Sequence, residues 1–312
     1  MIEILLWVIS FQDSSALRQF EILRNVKAHT GPVWAMAFSP CGKYFATAGD
    51  DKVIRIWEID SGNRVADLAG HKETVYCLCY SENGKKLFSG SGDATIKVWD
   101  VDKRKDIQTL KSHTSSVKCL AINEKARCLV SGSSDGTIKI WDCTILKEKQ
   151  TIEADTVSVY CLSLSKTKNV AVSGGADGSV RVWDIGTGKN LFMKHGHDFF
   201  VYAVALETKG TRFYSAGMDG KICLWDYEKR KKEKSFQIHD REVRGLALLS
   251  EGVVASGSLD KSVRLWRIGG KKEPESLQKI HLDFAVFGVK ASGGLLGVYG
   301  QNGNVVILKK RR

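Results

Sequence analysis

Histidine, a hydroxyl residue and aspartate recur in this chain at fixed separations, and these are the residue types that hydrolases assemble for nucleophilic catalysis. The sets are His29, Thr47, Asp51; His71, Ser89, Asp93; His113, Ser131, Asp135; His197, Ser215, Asp219; and His239, Ser256, Asp260. A tryptophan closes each set: Trp57, Trp99, Trp141, Trp225 and Trp266. Five near-identical catalytic centres in one polypeptide are not what an enzyme requires. A hydroxyl that accepts from an indole is also engaged where a nucleophile must be free. Chained together, the four types satisfy one another: indole donates, hydroxyl accepts and passes on, imidazole does both, and carboxylate accepts. The sets are therefore expected to be structural tetrads, with no catalytic residue and no enzyme activity.

The elements that position them follow from the spacing. Trp57, Trp99, Trp141, Trp183 and Trp225 follow at intervals of 42 residues, with Trp266 one short. His29, His71, His113, His197, His239 and His281 keep the same beat, with Asp155 where a histidine is due. A period near forty residues signals a stacked or circular array of one supersecondary unit. Within residues 71–110, short apolar runs at Val75–Tyr80, Lys86–Gly90, Thr95–Trp99 and Ile107–Leu110 are separated by turns, Asn83-Gly84 among them. Asn-Gly is the strongest short hairpin signal, and the unit reads as a four-stranded antiparallel sheet.

These motifs resemble those of WD40-repeat proteins from about Phe20 to Leu308, with Trp-Asp at Trp99-Asp100, Trp141-Asp142, Trp183-Asp184 and Trp225-Asp226, and variants at Trp57-Glu58 and Trp266-Arg267. The resemblance implies an all-β fold: a single seven-bladed β-propeller of four-stranded antiparallel blades. The tetrad is broken in blade 4, where Asp155 opposes Asp177, and in blade 7, where His281, Val298, Asn302 and Leu308 occupy its positions. The last blade lacks a fourth strand after Leu308, and Phe20–Val26 aligns with a fourth strand, so the N-terminal strand is expected to pair in the C-terminal blade and close the ring. The expected organisation is an extension over 1–19 and a propeller over 20–312. Its blades centre on 29–68, 71–110, 113–152, 155–194, 197–237, 239–279 and 281–308 plus 20–26.

Composition excludes several classes. With 43% hydrophobic and 26% charged residues, the chain can bury a core. No run approaches the ~20 apolar residues of a membrane span, so integral membrane association is not expected. The apolar stretch Ile2–Ile9 lacks the basic flank of a secretory signal. Of eight cysteines, Cys77, Cys119 and Cys161 share a small-residue slot, and no pair has metal-ligand spacing. No cofactor and no metal are expected, and the cysteines read as reduced, which points to an intracellular protein, cytoplasmic or nuclear.

Two surfaces stand out. Five residues after each histidine position, near the mouth of the central channel, lie Trp34, Tyr76, Lys118, Tyr160, Tyr202 and Arg244, with Phe287 in blade 7 if one insertion is allowed. Aromatics and arginine are the composition of interface hot spots, so this rim is the expected docking site for proteins or peptides. A segment led by a basic or apolar residue is expected to insert, held by acids around the rim. The opposite face gathers much of a net charge of +12: Lys103, Arg104, Lys105, Lys229, Arg230, Lys231, Lys232, Lys271 and Lys272. Such a face favours polyanions. The expected role is a non-catalytic scaffold, a monomer by itself and a subunit of a larger complex. The alternative is a basic propeller that contacts RNA phosphates, or an acidic protein, through its lysine-rich face.

Overall fold

Strand-forming residues alternate with Gly-, Asn- and Asp-rich turns in every repeat, and the regular elements among the described residues are accordingly strands. In a computed structural model, the described residues are 20–311 except 124, 155–156, 209–210, 251 and 269–272. Asp155, Lys271 and Lys272 therefore lie outside the described residues, as does the extension over 1–19. Seven four-stranded antiparallel sheets form, six of them from strands consecutive in sequence. The seventh joins Val286–Ser292, Leu295–Gly300 and Asn304–Lys310 to the N-terminal strand Phe20–Lys27 as its outermost member. The register runs from Phe20 opposite Lys310 to Lys27 opposite Asn304, as the alignment of the N-terminal strand predicts.

Closure is fastened at several points. The Phe20 amide donates to Gln278 Oε1 at 2.9 Å, and Gln278 Nε2 donates to the Phe20 carbonyl at 2.8 Å, tying the closing strand to blade 6. Arg311 meets Glu21 at 2.8 Å. Each innermost strand packs on the next, and that of blade 7 packs on that of blade 1, so the sheets form a closed ring.

The core is divided in the same way. Seven apolar clusters occur among the described residues, each spanning one gap between neighbouring blades: Ile54, Ile56, Leu78 and Trp99 belong to the first gap, and Val33, Trp57, Tyr299 and Ile307 to the last. In blades 2, 3, 4 and 6 close approach across the gap is met by glycine at the second strand. A Cβ on Gly132 would lie 2.6 Å from Val159 Cγ1 of the next blade. The turn carrying the tetrad aspartate has its own demand, since the following residue takes a positive φ even where it is Lys52 (66°), Ala94 (63°) or Lys261 (64°).

Because consecutive strands are antiparallel, the turns that follow first and third strands emerge on one face. The histidine loops and aspartate turns emerge on the other, where the channel mouth lies.

Candidate functional site

The residues capable of acid, base or nucleophilic chemistry are the tetrads. In blade 3, Trp141 Nε1 donates to Ser131 Oγ at 2.9 Å; Ser131 lies 2.7 Å from His113 Nε2, and His113 Nδ1 lies 2.8 Å from Asp135. Blades 1, 2 and 5 repeat the chain through Trp57, Thr47, His29 and Asp51, through Trp99, Ser89, His71 and Asp93, and through Trp225, Ser215, His197 and Asp219. All four hydroxyls are fully buried. Each is engaged from two sides and sealed from solvent, which leaves no path for a substrate to reach it.

Blade 6 departs from the expected tetrad, and blade 4 carries the break expected from its sequence. In blade 6, His239 contacts Ser256 at 2.7 Å and Asp260 at 2.8 Å, but Trp266 Nε1 is buried with no hydrogen-bond partner. The expected tetrad is thus a triad, with the indole aligned in sequence but not bonded. In blade 4, Trp183 donates to Ser173 at 2.8 Å, while Asp177 pairs with Arg181 at 2.5 Å. The carboxylate that sequence placed opposite Asp155 thus has a cation beside it.

The tetrads differ in charge for a local reason. Burial holds His29, His71, His113 and His239 below the ordinary histidine value, overriding the aspartates that would raise them. A cation four residues after the aspartate adds to this: Arg55, Lys97, Lys139 or Arg264. Blade 5 has Cys223 at that position. There burial is outweighed by the bonds to Asp219 and Cys223, and His197 is raised to about 9. Asp93 and Asp135 fall to about 2: burial opposes the shift, but the hydroxyls of Thr95 and Thr137 and backbone amides prevail.

All seven expected rim residues line one cavity of about 170 Å³ at the ring axis. Each is the extra residue of a β-bulge at the start of an innermost strand, as between Val75 and Cys77 or between Val286 and Gly288. A bulge re-aims one side chain out of the ladder, and here seven bulges aim seven side chains at one opening. Phe287 occupies the same bulge position, six residues after His281, which itself lies in the strand Glu275–His281. Trp34 stacks on Phe287 at 4.5 Å and meets Tyr76 edge-on at 5.9 Å; Lys118 Nζ sits 3.4 Å over Tyr76. Arg244 lies over Tyr202 at 4.8 Å and over Phe287 at 5.3 Å, and Tyr202 meets Tyr160 at 5.6 Å.

Two acids on this face brace rim residues: Asp50 accepts from Trp34 Nε1 at 2.7 Å, and Glu242 pairs with Arg244 at 2.9 Å.

Sequence reading missed three residues here. Phe200 packs on Tyr160 at 5.5 Å and on Tyr202 at 6.0 Å. Phe199 beside it is 59% exposed, an outward aromatic in a histidine loop that the register alone does not single out. Lys290 lines the channel three residues beyond Phe287, and the insertion before Phe287 hid its register.

The basic face is less positive than its composition suggests. Lys103 lies 3.6 Å from Asp100, Lys229 2.9 Å from Asp226, and Lys149 3.2 Å from Asp142, so the Trp-Asp carboxylates take up part of the charge. Lys105 and Lys231 stand opposite Asp100 and Asp226 in the strand register, and Lys232 lies 5.7 Å over the Trp225 ring. Arg104 and Arg230 occupy positive-φ turn positions on this face. Among the described residues no group of three or more His, Cys, Asp or Glu is arranged to hold a metal ion, and no helix is long and apolar enough to cross a membrane.

A family model described as WD domain, G-beta repeat matches residues 20–58, 62–100, 104–142, 146–184, 188–226 and 230–267. The matches stop at residue 267, before the last three strands of blade 7, where the tetrad residues are replaced. Among curated proteins, the chain is 34% identical over 61 residues to the target of rapamycin complex subunit LST8-1 of Arabidopsis thaliana, covering 20% of each chain. It is 41% identical over 46 residues to the probable cytosolic iron-sulfur protein assembly protein Ciao1 of Anopheles gambiae, covering 15% of this chain and 14% of that one. Over 40 residues it is 45% identical to Protein hir1 of Schizosaccharomyces pombe, 13% of this chain and 4% of that one. The aligned segments thus span a fifth or less of each relative.

Proposed function

We propose, from the premise that this chain belongs to the WD40 (WD domain, G-beta repeat) family, that it is a non-catalytic interaction scaffold and one subunit of a larger intracellular assembly. The observation that carries this reading is the ring of seven bulge residues aimed at the channel mouth. Rigid aromatic rings and an arginine around one opening are what hot spots are made of, and an arrangement braced by stacking and cation–π contacts loses little entropy when a partner docks. Two of the similar proteins bear names that say complex subunit and assembly protein, which agrees with such a role. The tetrads stabilise the ring, the chain alone is a monomer, and partners are proteins or peptides that dock on the rim.

The test is affinity capture of the tagged full chain, with and without nuclease, alongside Tyr160→Ala and Tyr202→Ala on the rim and paired Lys231→Glu, Lys232→Glu on the far face. Each rim truncation should cost more than about 1 kcal/mol of partner affinity while leaving the melting temperature unchanged. The lysine reversals should have little effect. Loss of partners on nuclease treatment, steep salt dependence and sensitivity only to the lysine reversals would instead show an RNA-phosphate surface.

A further inference from the structure

Around the ring, small side chains stand at the third position past the bulge in six blades: Ala37, Cys79, Ala121, Ser163, Ala205 and Ala247. Blade 7 breaks this ring with Lys290. Three strand residues place its Cα about 10 Å below the rim. Its side chain lines the same cavity as Cys77 and Cys119 of blades 2 and 3. The cysteines do not neutralise it: burial pushes Cys79 up to about 12 and raises Cys77 and Cys119 well above the usual thiol value, so all three stay protonated.

Among the described residues no carboxylate lines this cavity, while Lys118, Arg244 and Lys290 all do. Lys118 is occupied by the Tyr76 ring, and Arg244 by Glu242. Lys290 keeps an exposed side chain in the channel, and a carboxylate entering there would form a charge-assisted bond with it. The cavity, about 170 Å³, admits a side chain or loop tip but not a helix, which is ~10 Å across.

The geometry points to an acidic plug: the rim partner inserts an aspartate or glutamate side chain into the channel, where its carboxylate meets the Lys290 ammonium while flanking apolar residues lie on the aromatic rim. This assignment rests on the rim being the docking site. It reverses the charge expected of the inserted residue.

The test uses the immobilised full chain and four synthetic decapeptide pools, degenerate in apolar and aromatic residues around one central position fixed as Glu, Gln, Lys or phosphoserine. The Glu pool should be retained about ten- to hundred-fold better than the Gln pool, the usual range for a hydrogen bond to a charged group. Lys290→Met should erase that preference while leaving retention of the Gln pool unchanged, which also reports an intact rim. Lys290→Arg should keep it. Equal retention of Glu and Gln, preference for Lys, preference for phosphoserine over Glu, or a Glu preference that survives Lys290→Met would each overturn the acidic plug and leave the rim reading standing. Failure of the wild-type chain to retain any pool, or retention indifferent to Tyr160→Ala and Tyr202→Ala, would overturn the rim reading itself.

Discussion

Replacing the tetrad hydroxyl by alanine should cost about twice as much in blade 3 as in blade 6, although the sequence motif is nearly the same. In blade 3, Ser131 Oγ accepts from Trp141 Nε1 at 2.9 Å and lies 2.7 Å from His113 Nε2. Burial keeps His113 neutral at pH 7.5, so the serine O–H donates to that nitrogen, and Nδ1–H donates to Asp135. Ser131→Ala thus leaves a buried donor and a buried acceptor unmet. At about 1–3 kcal/mol per unmet group the loss is about 2–6 kcal/mol. In blade 6, Trp266 Nε1 has no partner to begin with. Ser256→Ala strands His239 Nε2, 2.7 Å away, and gives up besides only a long 3.3 Å contact to the Arg264 carbonyl, for about 1–3 kcal/mol. Urea denaturation at pH 7.5, followed by circular dichroism, measures both, and equal slopes would show that the native ring itself is unaltered. Equal losses, or a larger loss for Ser256→Ala, would refute the reasoning that hydrogen-bond satisfaction, not motif identity, sets the stability of each blade.

Deleting residues 1–27 removes the outermost strand of blade 7, with buried Phe20 and its bonds to Gln278, and should open the ring; deleting 1–15 leaves that strand whole and should shift the melting temperature little. Imidazole NMR titration should find His197 charged at pH 7.5 and His29, His71, His113 and His239 neutral. The pH profile of stability follows: the four lowered histidines weaken the fold as pH falls below 6.5, whereas the contribution of His197 is full below 6.5 and is lost as pH rises through about 9. Cys223→Lys restores the cation present in other blades, so it should bring His197 down and flatten the alkaline limb; an unchanged alkaline limb would count against this cause.

The sequence made the ring legible because it repeats: a 42-residue beat of tryptophans, an Asn-Gly hairpin, and a fourth strand missing at one end but present at the other. The rim was legible for the same reason, since a bulge at a fixed register places Trp34, Tyr76 and Tyr202 alike. What the pattern hid lay off register or depended on neighbours in space. Lys290 sits behind an insertion in blade 7, and the charge of His197 depends on Cys223 one strand away. Trp266 keeps its place in the motif without its bond. The sequence placed an excess of lysine and arginine on one face, but which cations are paired became legible only in space, where Asp100, Asp142 and Asp226 meet Lys103, Lys149 and Lys229.

The central claim is that partners dock at the channel mouth, and photo-crosslinking tests it most directly. Benzoylphenylalanine placed at Phe199, exposed beside Phe200 and Tyr202, and separately at Lys231 on the far face, maps contact in cells without perturbing the ring. The account predicts a discrete partner adduct from position 199 that disappears with Tyr202→Ala, and none from position 231. Adducts from position 231 alone would contradict it.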